Sequence, residues 1–326
     1  MNKQLSHRRV QVGIVDSLLM FFSALFLPSV AISATSPDEF LDDFLHSDKR
    51  GSYSASFVFI KPSGLQSTDV FVDMRDDGTY KRIIWFNGAK KEMTSTPLKT
   101  MHYFPAKQEK VSYLAGQLPS RLTLLFNNYQ QASHYYSIKL DENAEYVAGR
   151  ETYRLSVMAK LPNRYSRVYW IDKAKFIILR VDVLDENGQL IERMKCTSLV
   201  LKKPDSGELL VSSEGIGYKA IELIPDVTEG PNNVITFNWL PEHYKIVQSL
   251  RVDKINSLEK HIMLSDGFSI VRVVVSPHGH HTNKIAANHQ RDVWQKFVFT
   301  LENKQILLTG ELPLHSIKEI AGAISH

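Results

Sequence analysis

Between Tyr53 and Leu201 the chain alternates short apolar runs with tight turn signals, and this pattern constrains the fold more than any other feature. Tyr53–Ile60 and Leu65–Met74 flank Lys61-Pro-Ser-Gly64. Tyr80–Phe86 and Ala89–Thr94 flank Asn87-Gly88, a strong two-residue hairpin signal. Met101–Phe104, Lys110–Leu114, Tyr135–Leu140, Thr152–Lys160, Arg167–Asp172 and Phe176–Leu184 continue the series, and Asp185-Glu-Asn-Gly188 turns it into Gln189–Leu201. Tight turns join neighbours antiparallel, so the spacing predicts a meander. Val168-Tyr-Trp-Ile171 and Phe176-Ile-Ile-Leu179 are apolar on both faces, so both faces need cover. Twist accumulates along such a sheet and curls it. A concave apolar face must then be filled by a helix, by side chains or by an apolar ligand.

Helices are expected at three places. Ser36-Pro37-Asp38-Glu39 combines a cap, a first-position proline and a capping-box glutamate, with Phe40, Leu41, Phe44 and Leu45 on one face. Leu118–Tyr129 carries Leu122, Leu125 and Phe126 at helical spacing. Leu312-Pro313 opens a last helix with Leu314, Ile317, Ile320, Ala321 and Ile324 on one face. Residues 202–233 are rich in Gly and Pro and read as a linker with one short strand near Leu209. Beyond it, Val234–Trp239, Tyr244–Val252, Lys260–Leu264, Phe268–Ser276, Val293–Leu301 and Gln305–Leu308 read as a second, smaller sheet. The fold class is therefore α+β, mostly antiparallel β. Residues 1–34 are read as a signal peptide, 35–201 as the larger sheet domain and 234–326 as the smaller sheet-and-helix domain.

The reading of residues 1–34 rests on Lys3, Arg8 and Arg9, the apolar stretch from Ser17 to Leu27, and the small-residue exit Ala31-Ile-Ser-Ala34. Cleavage after Ser33 or Ala34 is expected, with export to a bacterial envelope compartment. The whole chain carries a net charge of +4, too balanced for a dedicated nucleic-acid binder, and has one cysteine, which excludes an internal disulfide.

Catalytic and cofactor motifs are missing: no phosphate loop, nucleophile elbow or zinc-type helix is found. No metal, cofactor or catalytic residue is expected, and the chain is read as a binding protein rather than an enzyme. His278-Gly-His-His281 with His289 reads as solvated loop histidines. Cys196 reads as a small buried thiol. The aromatic residues of the larger domain are mostly core, but a subset is expected to line an apolar hollow for acyl chains. The candidates are Trp85, Phe86, Tyr103, Phe104, Tyr113, Tyr169 and Trp170.

Tyr103-Phe-Pro105, Leu118-Pro-Ser120, Tyr135-Tyr136, Val168-Tyr-Trp-Ile-Asp172, Leu179-Arg-Val-Asp182 and Leu184-Asp-Glu-Asn-Gly188 carry a resemblance. Trp239-Leu-Pro241, Ser265-Asp-Gly-Phe268 and Gly310-Glu-Leu-Pro313 extend it. In their order and spacing the chain resembles the MucB/RseB family of periplasmic regulators of the envelope-stress sigma factor. The resemblance implies an unclosed half-barrel similar to the lipoprotein carriers. It also implies binding to the periplasmic region of a membrane anti-sigma factor, protection of that region from proteolysis, and relief by lipopolysaccharide or mislocalised lipoprotein. Candidate partner contacts, taken as aromatic or Arg residues at turns and strand ends, are Trp239, Tyr244, Phe268 and Arg272. A periplasmic lipid or lipoprotein carrier is the alternative. No nucleic-acid partner is expected, and homo-oligomer formation is left open.

Overall fold

A computed structural model describes residues 35–47, 50–86, 90–118, 120–142, 145–210, 217–226, 235–240, 243–252, 259–277 and 293–325. The signal segment, the Asn87-Gly88 turn and the histidine loop lie outside these residues. Helix α1 (Pro37–His46) begins as its sequence requires: Pro37 occupies the first turn, and Glu39 reaches back to the Ser36 amide at 3.1 Å. It buries Phe40, Leu41 and Phe44.

Six strands follow: β1 (Tyr53–Lys61), β2 (Gly64–Arg75), β3 (Gly78–Trp85), β4 (Lys91–Ser95), β5 (Lys99–Phe104) and β6 (Glu109–Leu114). Each pairs antiparallel with the next. Helices α2 (Arg121–Asn127) and α3 (Tyr129–Tyr135) lead to β7 (Tyr136–Asp141), β8 (Tyr146–Val147), β9 (Arg150–Ala159), β10 (Ser166–Asp172), β11 (Ile178–Leu184) and β12 (Leu190–Val200). β7 pairs β9, and β9 to β12 form a second meander. β12 then folds back beside β1, with Ala55 opposite Leu199. The order is β7-β9-β10-β11-β12-β1-β2-β3-β4-β5-β6, and among the described residues the β7 edge pairs with nothing further, so the sheet stays open.

The helix expected over Leu118–Tyr129 is shorter, α2 alone, and an unexpected second helix, α3, follows it. Asn128 ends α2 at φ −127°, and its side-chain amide donates to the Leu124 carbonyl at 2.9 Å. That bond offers the backbone an alternative to continuing the helix. Within 202–233, Ser206–Leu209 is a short 3-10 turn rather than a strand, and the strand lies later, at β13 (Lys219–Pro225). The rest comprises β14 (Thr236–Phe237), β15 (Lys245–Val252), β16 (Lys260–Ser265), β17 (Ile270–Pro277), β18 (Gln295–Leu301), β19 (Lys304–Gly310), α4 (Leu314–Gly322) and β20 (Ile324–Ser325). The smaller sheet runs β13-β15-β16-β17-β19-β18, all antiparallel. Ile317, Ile320 and Ala321 of α4 are buried with Val271, Val273 and Leu308 of that sheet. β13 stitches the two sheets: Lys219–Glu222 runs parallel to β6, and Leu223–Pro225 pairs with β15. The fold is mostly antiparallel α+β with an unclosed larger sheet, as its sequence predicts.

Candidate functional site

Strand alternation builds a hollow on one face of six adjacent strands, β10-β11-β12-β1-β2-β3. Tyr53, Phe57 and Phe59 of β1 share that face with Val70 of β2 and Ile83 and Trp85 of β3. Tyr169, Ile178, Val181 and Met194 continue it on β10, β11 and β12. Phe44 and Leu45 of α1 and Leu122 and Thr123 of α2 close over one end. The hollow is open to solvent and has a volume of about 720 Å³, inside the range of roughly 300–1,000 Å³ usual for ligand cavities. The lining is not wholly apolar: Arg50, Lys81, Arg121, Arg167, Glu192 and Glu311 also reach it. Lys81 alternates with Ile83 and Trp85, which puts its ammonium on the cavity face. Burial, then the neighbouring Arg50, lowers its pKa.

Of the seven aromatic candidates, Trp85 and Tyr169 line this hollow. Trp170, next to Tyr169, points to the opposite face, where the Arg180 guanidinium sits 3.8 Å over its ring. Phe86 is 51% exposed beyond the end of β3. Tyr103, Phe104 and Tyr113 lie on β5 and β6, at the far end of the sheet. Tyr103 is buried edge-to-face against Tyr218 at 6.4 Å, Phe104 stacks on His102, and Tyr113 shares a 2.9 Å hydrogen bond with His102 Nε2. These five residues are therefore corrected out of the cavity lining. The physical reason is register: adjacent residues face opposite ways, and a hollow uses only part of a long sheet.

A buried polar seam joins the two sheets. Asp266, in the β16–β17 turn, accepts from Tyr136 Oη at 2.9 Å and Arg164 Nε at 2.6 Å. Its other oxygen takes the amides of Phe268 and Ser269 at 3.1 and 2.8 Å. Burial, reinforced by Asp266, raises the Tyr136 pKa well above its ordinary value. Gly267 lets the turn approach: its φ is +96°, and a Cβ there would meet Asn128 Cβ at 3.0 Å. The Phe268 ring then packs on Tyr136 at 5.1 Å, and Arg164 lies over Tyr135 and Tyr244. Phe268 and Tyr244 are 0% and 7% exposed, so they serve this seam and are corrected as direct partner contacts. An aromatic at a turn reads as a free contact only until another element covers it.

Arg272 and Trp239 are placed differently. Trp239 is 47% exposed. Arg272 donates to His261 Nδ1, whose Nε2 faces Glu259 Oε1 at 2.7 Å. It lines a second cleft of about 240 Å³ with Leu118, Leu223, Leu250, Met263 and Trp294. Trp294 escaped the sequence reading because it stands singly beside the histidine loop. Lys81 carried a legible signal, a lysine in phase with two apolar residues on a strand. Arg121, Arg167 and Glu311 carried none, since they come together only in three dimensions. No group of three metal-ligating side chains occurs among the described residues, and no described helix is long and apolar enough to cross a membrane. Cys196 is buried, its thiol 3.2 Å from the Ser198 carbonyl, and burial raises its pKa.

Residues 36–214 match the sequence model of the MucB/RseB N-terminal domain. The chain belongs to the MucB/RseB family. It is 23% identical over 316 residues to the sigma-E factor regulatory protein RseB of Haemophilus influenzae, covering 92% of this chain and 96% of that protein. It is also 23% identical over 236 residues to the sigma factor AlgU regulatory protein MucB of Pseudomonas aeruginosa, covering 71% of this chain and 70% of that one. A crystal structure of MucB in complex with MucA(peri) superposes with a TM-score of 0.62 at 20% identity, over 89% of this chain and 98% of that one. This likeness extends the shared fold beyond the N-terminal segment.

Proposed function

We propose that the chain is a periplasmic regulator that binds the periplasmic region of a membrane anti-sigma factor and so represses a sigma-E type envelope-stress response. It is delivered by cleavage of the signal segment 1–34. Bound, it shields the anti-sigma factor from regulated proteolysis. Lipopolysaccharide or mislocalised lipoprotein relieves the block by placing acyl chain in the hollow. Family membership supports the regulatory role, and the hollow of about 720 Å³ under α1 and α2 is the observation that carries the lipid half of the reading. Each methylene taken from water contributes about 0.8 kcal/mol, so one acyl chain supplies several kcal/mol.

The partner segment is assigned to the smaller sheet side, where exposed Trp239 and the cleft containing Arg272 and Trp294 offer an aromatic-and-arginine surface. The test is calorimetric titration of the protein with the periplasmic fragment of a membrane anti-sigma factor from the same organism, followed by proteolysis of that fragment with and without the protein. Stoichiometric binding and slowed cleavage are expected. Absence of binding would overturn the reading. A carrier, by contrast, would move lipid between vesicles and leave cleavage of the fragment unchanged.

A further inference from the structure

The charges that line the hollow are uneven in sign and lie at its two ends, Arg50 and Lys81 beside Tyr53 at the start of β1, and Arg121, Arg167 and Glu311 toward Lys61 at its other end. Four basic side chains line the cavity, Arg50, Lys81, Arg121 and Arg167, against two acidic ones, Glu192 and Glu311. Glu192 lies 3.2 Å from Lys61 Nζ. Glu311 alone stands between two guanidiniums: Arg121 Nη2 is 3.0 Å from its Oε2, and Arg167 Nη2 donates to the same oxygen. The Arg167 side chain is 3% exposed, and its Nη1 has no hydrogen-bond partner among the described residues. Arg121 Nε is likewise shielded and unpartnered. Buried donors are nearly always satisfied, so unmet donors on two neighbouring guanidiniums mark the place of a further acceptor. Glu311 meets both arginines through the single oxygen Oε2 and leaves Arg121 Nε and Arg167 Nη1 unmet. Burial lowers the pKa of Arg121, whereas at Arg167 burial is outweighed by Glu311 together with Tyr169 and Tyr136, and the pKa is raised.

We infer that Arg121 and Arg167 form an oxyanion site at their end of the hollow, with Glu311 as its resident counter-ion, and that the phosphate group of an amphiphile displaces Glu311. The inference rests on the reading of the hollow as an amphiphile site and gives that amphiphile a head group and an orientation. A phosphate monoester offers three terminal oxygens to two planar guanidiniums, more than one carboxylate provides. Its chain runs from there along Tyr169, Ile178, Phe57 and Trp85. The exchange has a mechanical consequence. Glu311 lies just after β19 and ahead of α4, so losing its arginines leaves the start of α4 tied to the larger domain by the Ser316 Oγ–Asn163 carbonyl hydrogen bond of 2.9 Å and loosens it.

The test is calorimetric titration of the protein with three probes below their micelle concentrations: decyl phosphate, decyl maltoside and inorganic phosphate. Decyl phosphate is expected to bind at least about 10-fold tighter than decyl maltoside, since a charge-assisted contact is worth at least that factor. Inorganic phosphate, lacking the chain, is expected to be at least about 100-fold weaker. Arg121→Met leaves the Arg167–Glu311 pair balanced and is expected to weaken decyl phosphate about 10-fold with decyl maltoside unchanged. Glu311→Gln is expected to tighten decyl phosphate. Should that variant not fold, the wild-type and Arg121→Met arms decide. Amide exchange in Leu314–Gly322 should accelerate with decyl phosphate and not with decyl maltoside. Equal affinity of the two alkyl probes, or unchanged exchange in α4, overturns the inference and leaves the hollow in place. Equal binding of inorganic and decyl phosphate overturns the amphiphile as its source. Binding by neither alkyl probe overturns the hollow reading as well.

Discussion

Replacing Asp266 by Ala tests the seam between the two sheets at its most buried point. The carboxylate is 0% exposed, and its partner Arg164 has a side chain 2% exposed. It accepts from Arg164 at 2.6 Å, Tyr136 at 2.9 Å, Ser269 at 2.8 Å and Phe268 at 3.1 Å. Removing one member of a buried ion pair costs about 3–5 kcal/mol, because the other charge is left without compensation. The orphaned amides and hydroxyl add to this, and relaxation of the turn subtracts, so about 4 kcal/mol is expected for Asp266→Ala. Against a total stability of roughly 5–15 kcal/mol this is a large fraction. With a urea slope near 2.5 kcal/mol/M it moves the unfolding midpoint down by about 1.6 M. The assay is urea unfolding followed by tryptophan fluorescence, on the single variants Asp266→Ala and Arg164→Met and on the double. The double variant should cost at least about 1.5 kcal/mol less than the sum of the singles. A loss below about 1 kcal/mol for Asp266→Ala, or strict additivity, would refute the seam as a buried, coupled network.

Two further outcomes follow from the cavity and from His102. Ile83→Trp fills part of the hollow from β3, and should abolish decyl phosphate binding in calorimetry while the thermal midpoint falls by no more than a few degrees. His102 is held neutral in the folded protein: burial first, then Arg272 and Lys91, push its pKa from 6.5 to about 4. Between those values the unfolded chain binds a proton that the folded protein does not, so stability falls as pH drops through this window, by about 2–3 kcal/mol at pH 4.5. His102→Gln removes that component, and urea midpoints at pH 7 and 4.5 should show a correspondingly smaller acid loss than in the parent protein.

The strands were legible because apolar runs and turn residues speak about neighbours in sequence. Asp185 at a turn, or Val168-Tyr-Trp-Ile171 as a two-faced strand, needs no knowledge of the rest of the chain. The closure of β12 onto β1 was not legible, since residues 55 and 199 meet by the curl of the whole sheet. β13 hid in a segment rich in glycine and proline, and only its two partners define it. Of the cavity, Trp85 and Tyr169 could be named from composition, but the neighbour of Tyr169 could not be assigned a face without the register of β10. The arginine–glutamate end of the hollow was out of reach for the same reason. Arg121 comes from α2, Arg167 from β10 and Glu311 from the turn after β19, three places with no common pattern.

The central claim is that occupancy of the hollow and occupancy of the partner surface oppose one another. The direct measurement is fluorescence anisotropy of the labelled anti-sigma periplasmic fragment bound to the protein, titrated with lipopolysaccharide. Coupling of about 1–3 kcal/mol predicts a Kd for the fragment weakened roughly 5-fold or more at saturating lipid. A Kd unchanged across a titration in which lipid binding is independently seen to saturate would contradict the account.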